Sequence, residues 1–597
     1  MPIFGKMNHT SRYLACILVV ALFTCGGIAS SHAQHYYVDE TNLMHKHLVE
    51  IIQSKNPAAD FHLGSRPYDA KKVLEALQPI FHDMAPHEKT MALDFRNQYD
   101  FIPFEKERIS TERSTDSLSS DQQNLENILK RQSGWYGLYT SPYHAWSVDV
   151  PNFSLRVNPI LDLSVGTQSS QDQMPFQNTR GIRIQGLIDN KIFFYTELLE
   201  NQTRFLSHIE NYIDQNRAIP GQAFFKNYQS RFLQGLSGRD YLNTQAYITV
   251  PISRHIGLSL GHGRHFIGHG NRSLLLSDFS NNYFYLKLDT KIWKLHYQNI
   301  FAELGAISAG LNPNDVLLPK KYMAAHYLSF RPNSNFEIGI FETVIFSREK
   351  IFELQYLNPF IFYRTVEQFL DSPDNVLLGL NLRYQLTSKI SLYGQFILDE
   401  FKLSHPPGSK NWWGNKYGYQ VGLLATDLLG VQGLSIRFEQ NTVRPYTYSQ
   451  SRPMTDFPQI GISSYTHYSM PLSHPLGANF REQIVELTYP IGKDWLLNWA
   501  GFLMHVGRDT PTENWGNDIL RVNTDRVREY DNVIGQGDRQ RVMLQRFAIR
   551  YRWLPGLFLH AEGLLRQENQ LDQNQKINNT YFGLGLRLNI QSRPIDF

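Results

Sequence analysis

The feature that most constrains this chain is a period of two that sets in near residue 153. Phe153, Leu155, Val157, Pro159, Leu161, Leu163 and Val165 alternate with Ser154, Arg156, Asn158, Ile160, Asp162, Ser164 and Gly166. Val376, Leu378, Leu380, Leu382, Tyr384 and Leu386 alternate in the same way with Asn375, Leu377, Gly379, Asn381, Arg383 and Gln385. Successive side chains of a strand point to opposite faces, so each run has one apolar face without charge. A lipid-facing Arg or Lys at the bilayer midplane costs about 2 to 4 kcal/mol, which keeps charge on one side of the pleat. A soluble sandwich can also alternate, and the connections separate the two cases. Short turns at Asp189-Asn190, Pro251 to His255, Asp289 to Lys291, Pro332 to Asn335, Thr387 to Lys389, Gly430 to Gly433, Pro490 to Asp494 and Leu554 to Gly556 alternate with longer stretches. The longer stretches centre near residues 172, 220, 272, 312, 360, 408, 462, 523 and 574. Short periplasmic turns and long external loops are how outer-membrane barrels are built. The spacing predicts an all-β chain, a transmembrane antiparallel barrel of about 18 strands over residues 141–597, with both ends in the periplasm and its loops facing the cell exterior. Its final strand carries Phe582, Leu584, Leu586, Leu588 and Ile590 on the apolar face, and Gln591 to Phe597 extend beyond it.

The start of the chain fits a protein bound for the Gram-negative outer membrane. Lys6 and Arg12 precede an apolar run from Tyr13 to Phe23, and Ser31-His32-Ala33 is a small-x-small cleavage site, so residues 1–33 read as a signal peptide. Cys25 raises a lipoprotein alternative, but Thr24 stands where a smaller residue is usual. Cys16 and Cys25 are the only cysteines, so the mature chain has no thiol, disulfide or zinc-cysteine site. Nothing after residue 33 is an apolar run of the about 20 residues a membrane helix needs. An aromatic content of 13% suits a barrel with interfacial girdles, and a net charge of +3 is too small to argue for nucleic acid. Residues 34–140 read as a small periplasmic helical region with a flexible linker. Leu43, Met44, His47, Leu48, Ile51 and Ile52 fall at helical spacing before Pro57, a second helix runs from Asp69 to Leu77, a polar stretch covers Glu107 to Gln123, and a short helix follows around Leu125 to Leu129. This is not the globular plug of a TonB-dependent transporter.

Several blocks resemble the capsule assembly protein Wzi family, in particular its Bacteroidetes branch of RemB-like gliding-motility and capsule-assembly proteins. They are Gly268 to Asp278 (GHGNRSLLLSD) with Asn281-Asn282-Tyr283 and Lys287; Asn190-Lys191 with Glu200-Asn201-Gln202; Asn358-Pro359; Ser372 to Asn375; Asp399-Glu400-Phe401; Arg444 to Tyr448 (RPYTY); and His474 to Asn479 (HPLGAN). Their order from about residue 140 to the C-terminus carries the resemblance. It implies an eighteen-stranded outer-membrane barrel acting as a surface lectin for capsular or exopolysaccharide, without enzymatic activity or cofactor. Its partners would be that polysaccharide, the outer-membrane lipids and the barrel assembly machinery. A surface adhesin or gliding-motility component and a diffusion channel are the alternatives.

The candidate glycan contacts are Arg264, His265, His269, Asn271, Arg272, Trp412, Trp413, Tyr446, Tyr448 and Asn479. In the glycine-rich stretch from His262 to Arg272, Arg264 and Arg272 could pair bidentately with uronate or phosphate groups. The competing reading is a tight loop folded into the lumen, its arginines meeting barrel carboxylates. His262, His265 and His269 invite a metal, but no nearby Cys or carboxylate completes a shell. His269 and Ser273, four apart, are weak grounds for a base and nucleophile. Trp412, Trp413, Tyr446, Tyr448, Tyr465, Tyr468 and Trp515 could stack on sugar rings, or serve the outer aromatic girdle. Asp399 and Glu400 point to opposite faces of a strand, which is wrong for a glycosidase pair.

Overall fold

The computed structural model describes residues 37–38, 43–59, 62–99, 101, 139–141, 143–169, 173–222, 224–230, 236–308, 317–347, 353–370, 372, 374–400, 404, 410–590 and 595–597. The signal peptide, the polar stretch 107–123 and the short helix near 125–129 lie outside these residues.

Eighteen antiparallel strands close into one barrel among the described residues. They are β1 Phe153–Gln168, β2 Phe176–Ile188, β3 Ile192–Arg204, β4 Ser237–Pro251, β5 Ile256–Gly263, β6 Tyr283–Ile292, β7 Leu295–Gly305, β8 Lys320–Asn333, β9 Phe336–Phe346, β10 Asn375–Thr387, β11 Ile390–Glu400, β12 Lys416–Thr426, β13 Ser435–Val443, β14 Phe480–Ile491, β15 Trp495–Arg508, β16 Asp538–Leu554, β17 Leu557–Gln570 and β18 Gln575–Leu588. Each pairs with its neighbour in sequence, and β18 returns to β1 through Leu588↔Leu161 to Tyr581↔Gln168. A short strand, Trp146–Val150, extends β1 at its start.

The alternation read from the sequence sorts the two faces. On β10 Leu380, Leu382, Tyr384 and Leu386 are exposed on the outer wall, while Asn381, Arg383 and Gln385 are buried in the lumen. On β18 Phe582 and Leu584 face out and Arg587 pairs inward with Asp162, 3.1 Å away. Ion pairs such as Arg183–Glu197 at 2.6 Å line the same interior. Two connections differ from expectation. The β6–β7 turn lies at Trp293-Lys294, because Asp289 faces the lumen, bonded to His296 at 2.8 Å and paired with Lys287 at 3.3 Å. The last long-side connection is a tight turn between Gln570 and Gln575.

The chain ahead of the barrel forms α1 Leu43–Lys55, α2 Ala70–Leu77 and α3 Pro86–Gln98. Asp69 caps α2 by accepting the Lys71 amide at 3.0 Å, as a helix N-terminus demands. Helical spacing puts Leu48, Ile51 and Ile52 into a core shared with Val73, Leu77, Met91 and Phe95. All three helices sit in the short-turn mouth of the barrel. Glu50 accepts from Arg437 and Ser435, each at 2.7 Å, Lys46 pairs with Glu486 at 2.8 Å, and Asp94 with Arg552. The amides of Leu63 and Gly64 donate to Glu337 at 3.2 and 3.0 Å.

Candidate functional site

From the long-loop end, residues 264–282 fold into the lumen. A Cβ on Gly270 would lie 2.3 Å from the Glu439 carboxylate, so only glycine lets the backbone approach β13 this closely. The amides of Asn271 and Arg272 then donate to the two oxygens of Glu439 at 2.8 and 3.1 Å. The Asn271 side chain donates to Glu486 at 2.8 Å and accepts from Lys46 at 2.7 Å. Arg272 reaches Glu482 at 3.4 Å and the Asp596 carbonyl. Asn271 and Arg272 thus meet barrel carboxylates. At the loop's inner edge Phe266–Ile267 pairs as a two-residue strand with Ser65–Arg66 of the helical region.

The remaining polar groups of this loop do not gather. His265 is buried, with its ring edge-on to Tyr285 at 4.4 Å. Burial, reinforced by the nearby Lys287 ammonium, holds its imidazole well below the usual range, so it carries no charge to offer an anion. The His269 carbonyl accepts from Arg437 at 2.8 Å. Ser273 is fully buried and donates to the Ile267 carbonyl at 2.5 Å, which leaves it no role as a nucleophile toward His269. Arg264 donates to the Ser280 carbonyl at 3.4 Å and borders a lumen cavity of ≈ 440 Å³ whose wall includes Arg183, Glu197, Arg546 and Arg550. Among the described residues no group of three or more His, Cys, Asp and Glu is placed to hold a metal ion.

Over this loop lies the stretch 444–479. Tyr448 and Tyr465 are fully buried, and their hydroxyls donate to the carbonyls of Leu274 and Leu275, both at 2.8 Å. Tyr446 is buried too, donating to the Asn514 carbonyl at 2.8 Å. Tyr446 and Tyr448 hold φ values of 64° and 74°, a conformation bulky residues adopt only when their surroundings fix it. Asn479, also buried, clasps the Gly507 and Gln536 carbonyls at 2.8 and 2.9 Å and the Gly535 amide at 2.7 Å. Tyr446, Tyr448, Tyr465 and Asn479 therefore bind loop to loop and present no face to the outside.

The exposed surface is made where the segment starting at Lys410 meets the loop 509–537. Backbone bonds run from Trp413 to Glu529 at 2.9 Å, from Asp531 to Lys410 at 2.7 Å and from Asn532 to Asn411 at 3.0 Å. They dock half-buried Trp413 against the loop that carries half-buried Trp515, with Arg526 4.2 Å from the Trp413 ring centroid and Arg528 5.4 Å from that of Trp515. Tyr530 stands 42% exposed beside them. Trp412 turns inward and is buried. Arg526, Arg528 and Tyr530 escaped the sequence reading, although their spacing in RVREY places cationic and aromatic groups close together. Indole faces cover the apolar side of a sugar ring, and the guanidinium groups beside them are held in place, Arg526 by Glu529 and by the Asn523 carbonyl at 3.1 Å, Arg528 by Gln536 at 3.0 Å. Proton-transfer chemistry has less footing. Asp399 accepts the Tyr448 amide at 2.7 Å, while Glu400, beyond a register shift in the β11–β12 ladder, pairs with Lys416 at 3.1 Å.

The family model of the capsule assembly protein Wzi matches residues 201–581. Among solved structures, Escherichia coli Wzi, described as a carbohydrate-binding β-barrel of the outer membrane involved in group 1 capsule assembly, is 12% identical. The alignment covers 94% of this chain and 100% of that one, with a TM-score of 0.51. Pseudomonas aeruginosa OprD is 10% identical over 72% of this chain and 94% of its own, with a TM-score of 0.39. Acinetobacter baumannii OccAB2 is 10% identical over 73% and 98%, also with a TM-score of 0.39. No curated protein matches the sequence. The matched region runs from Asn201 in β3 to Tyr581 in β18 and takes in all the inward and external loops described above, so the chain belongs to the Wzi capsule assembly family of outer-membrane β-barrels.

Proposed function

We propose that this barrel binds capsular or exopolysaccharide at the cell surface and holds it there, by recognition and without catalysis. The observation that carries the reading is the external patch of Trp413, Trp515, Arg526, Arg528 and Tyr530, fixed by backbone bonds between two loops. Family membership and the carbohydrate binding of Escherichia coli Wzi support it. A rigid aromatic surface binds sugars at low entropic cost, because the rings are already ordered. Binding of the host's own surface polysaccharide to the purified full chain tests the reading. Replacing both Trp413 and Trp515 by Ala should weaken binding by about 1 to 3 kcal/mol, the sum of two aromatic contacts. A deletion strain should lose surface glycan. Unchanged glycan retention with impaired surface movement or attachment would instead favour an adhesin or gliding component.

A further inference from the structure

The β9–β10 connection does not cap the lumen. Its described part, residues 353–370, which ends in helix α5 Tyr363–Leu370, lies against the outer wall. On β8 the lumen side is marked by Tyr327, which accepts from Asn381, and by Lys321, which donates to Ser464 at 2.8 Å. His326 therefore points outward. The register sets it beside Asn299 of β7 and Glu342 of β9, so three polar side chains form a row across the wall that should meet lipid. Bare in hydrocarbon such groups are costly.

The segment satisfies all three. The Pro359 carbonyl accepts from Asn299 at 3.2 Å, the Tyr363 hydroxyl bonds His326, and Glu342 accepts the Arg364 amide at 3.2 Å. Tyr356, Tyr363 and Val366 pack on Phe301, Ala324, Val344, Phe346 and Val376, a cluster separate from the lumen core. The side turned away from the barrel carries large apolar side chains among the exposed Gln355, Asn358, Arg364, Thr365 and Gln368. Phe360, Phe362 and Phe369 are 83%, 72% and 79% exposed, and Leu354 is 60% exposed. This face continues the exposed belt of Ile340, Leu378 and Leu380 on β9 and β10. Arg364 and Glu367 pair with each other at 2.5 Å.

We propose that residues 353–370 form a flap embedded in the membrane, with the acyl chains of the bilayer covering Phe362 and Phe369. A Phe left in water forgoes the free energy of burial, and an amphipathic helix next to an existing lipid-facing belt recovers it by lying in the interface. The inference is independent of which polysaccharide, if any, the external patch binds.

The mature chain contains no cysteine once the segment holding Cys16 and Cys25 is removed, so single-cysteine variants of the full chain can carry a nitroxide label. Phe362→Cys and Phe369→Cys, reconstituted in phosphatidylcholine vesicles, should collide more with oxygen than with a water-soluble nickel chelate. Their oxygen-to-nickel ratio should reach that of Leu380→Cys on the belt. Val533→Cys, 49% exposed on an external loop, should show the reverse. Preference of both flap labels for nickel would overturn the proposal. So would shielding from both reagents with dipolar broadening, since a second copy of the chain would then cover the face. The belt label reports insertion in each preparation, and heat-modifiable migration reports folding.

Discussion

Residues facing the lumen differ most in whether their charge is answered. Arg437 is bonded to Glu50 and the His269 carbonyl, whereas Nε and Nη1 of Arg550 are buried without a partner. Replacing a buried guanidinium that has two unbonded nitrogens and stands beside Arg546 and Arg587 with an apolar chain removes a desolvation cost, while removing one member of a bonded pair strands the other. Arg550→Met should therefore raise stability to urea in micelles by about 1 to 4 kcal/mol, and Arg437→Met should lower it by about 3 to 5 kcal/mol. A pH effect resides in α4 Ser207–Asn216, where both ring nitrogens of His208 are buried without partners. Burial, followed by the nearby Arg566, pushes this imidazole down to about 3. A depressed histidine contributes stability that is complete above its unfolded value of about 6.5 and is lost as pH falls toward the folded one. Amide exchange over residues 207–216, corrected for intrinsic rates, should be faster at about pH 5 than at about pH 7, and His208→Leu should flatten the difference. At this scale the sequence shows residue type but not direction. The RPYTY block and Asn479 stood out as aromatic and polar groups in long loops, yet their neighbours turn them inward. Trp413 and Trp515 stayed half open, and nothing local in the sequence separates the two outcomes.

At the scale of elements the period of two was decisive, because a bilayer outside and polar groups inside leave each strand one permissible register. Strand alternation and the short turns could be read directly. The exception at Asp289 to Lys291 arose because adjacent charges that pair inside a wet lumen have the composition of a turn. Loop paths are set by contacts with distant strands, so neither the inward course of residues 264–282 nor the outward course of 353–370 has a local signature. Gly270 tests the first. In Gly270→Val any side chain would displace the Asn271 and Arg272 amides from Glu439, costing about 2 kcal/mol. Amide exchange should rise over residues 268–278 while β13 stays protected.

For the whole molecule, the helices α1 to α3 and the loops 264–282 and 444–479 stack through the lumen from one mouth to the other. The barrel has eighteen interstrand ladders that do not involve these layers. Intact protein in planar bilayers should accordingly give no steady conductance, and a variant lacking both residues 37–101 and residues 264–282 should conduct. Steady current through the intact chain would restore the diffusion-channel reading.

The pairing of Ser65–Arg66 with Phe266–Ile267 also bears on the order of events during assembly. It joins the leading segment to a loop that belongs to the first third of the wall, and both lie within the ring that β1 and β18 complete. Contacts between distant parts of a chain form late, because the intervening segment must first give up its freedom. Leading helices that dock before the seam is sewn meet this loop across an open sheet, whereas those that dock afterwards must enter through the short-turn mouth of a wall already closed.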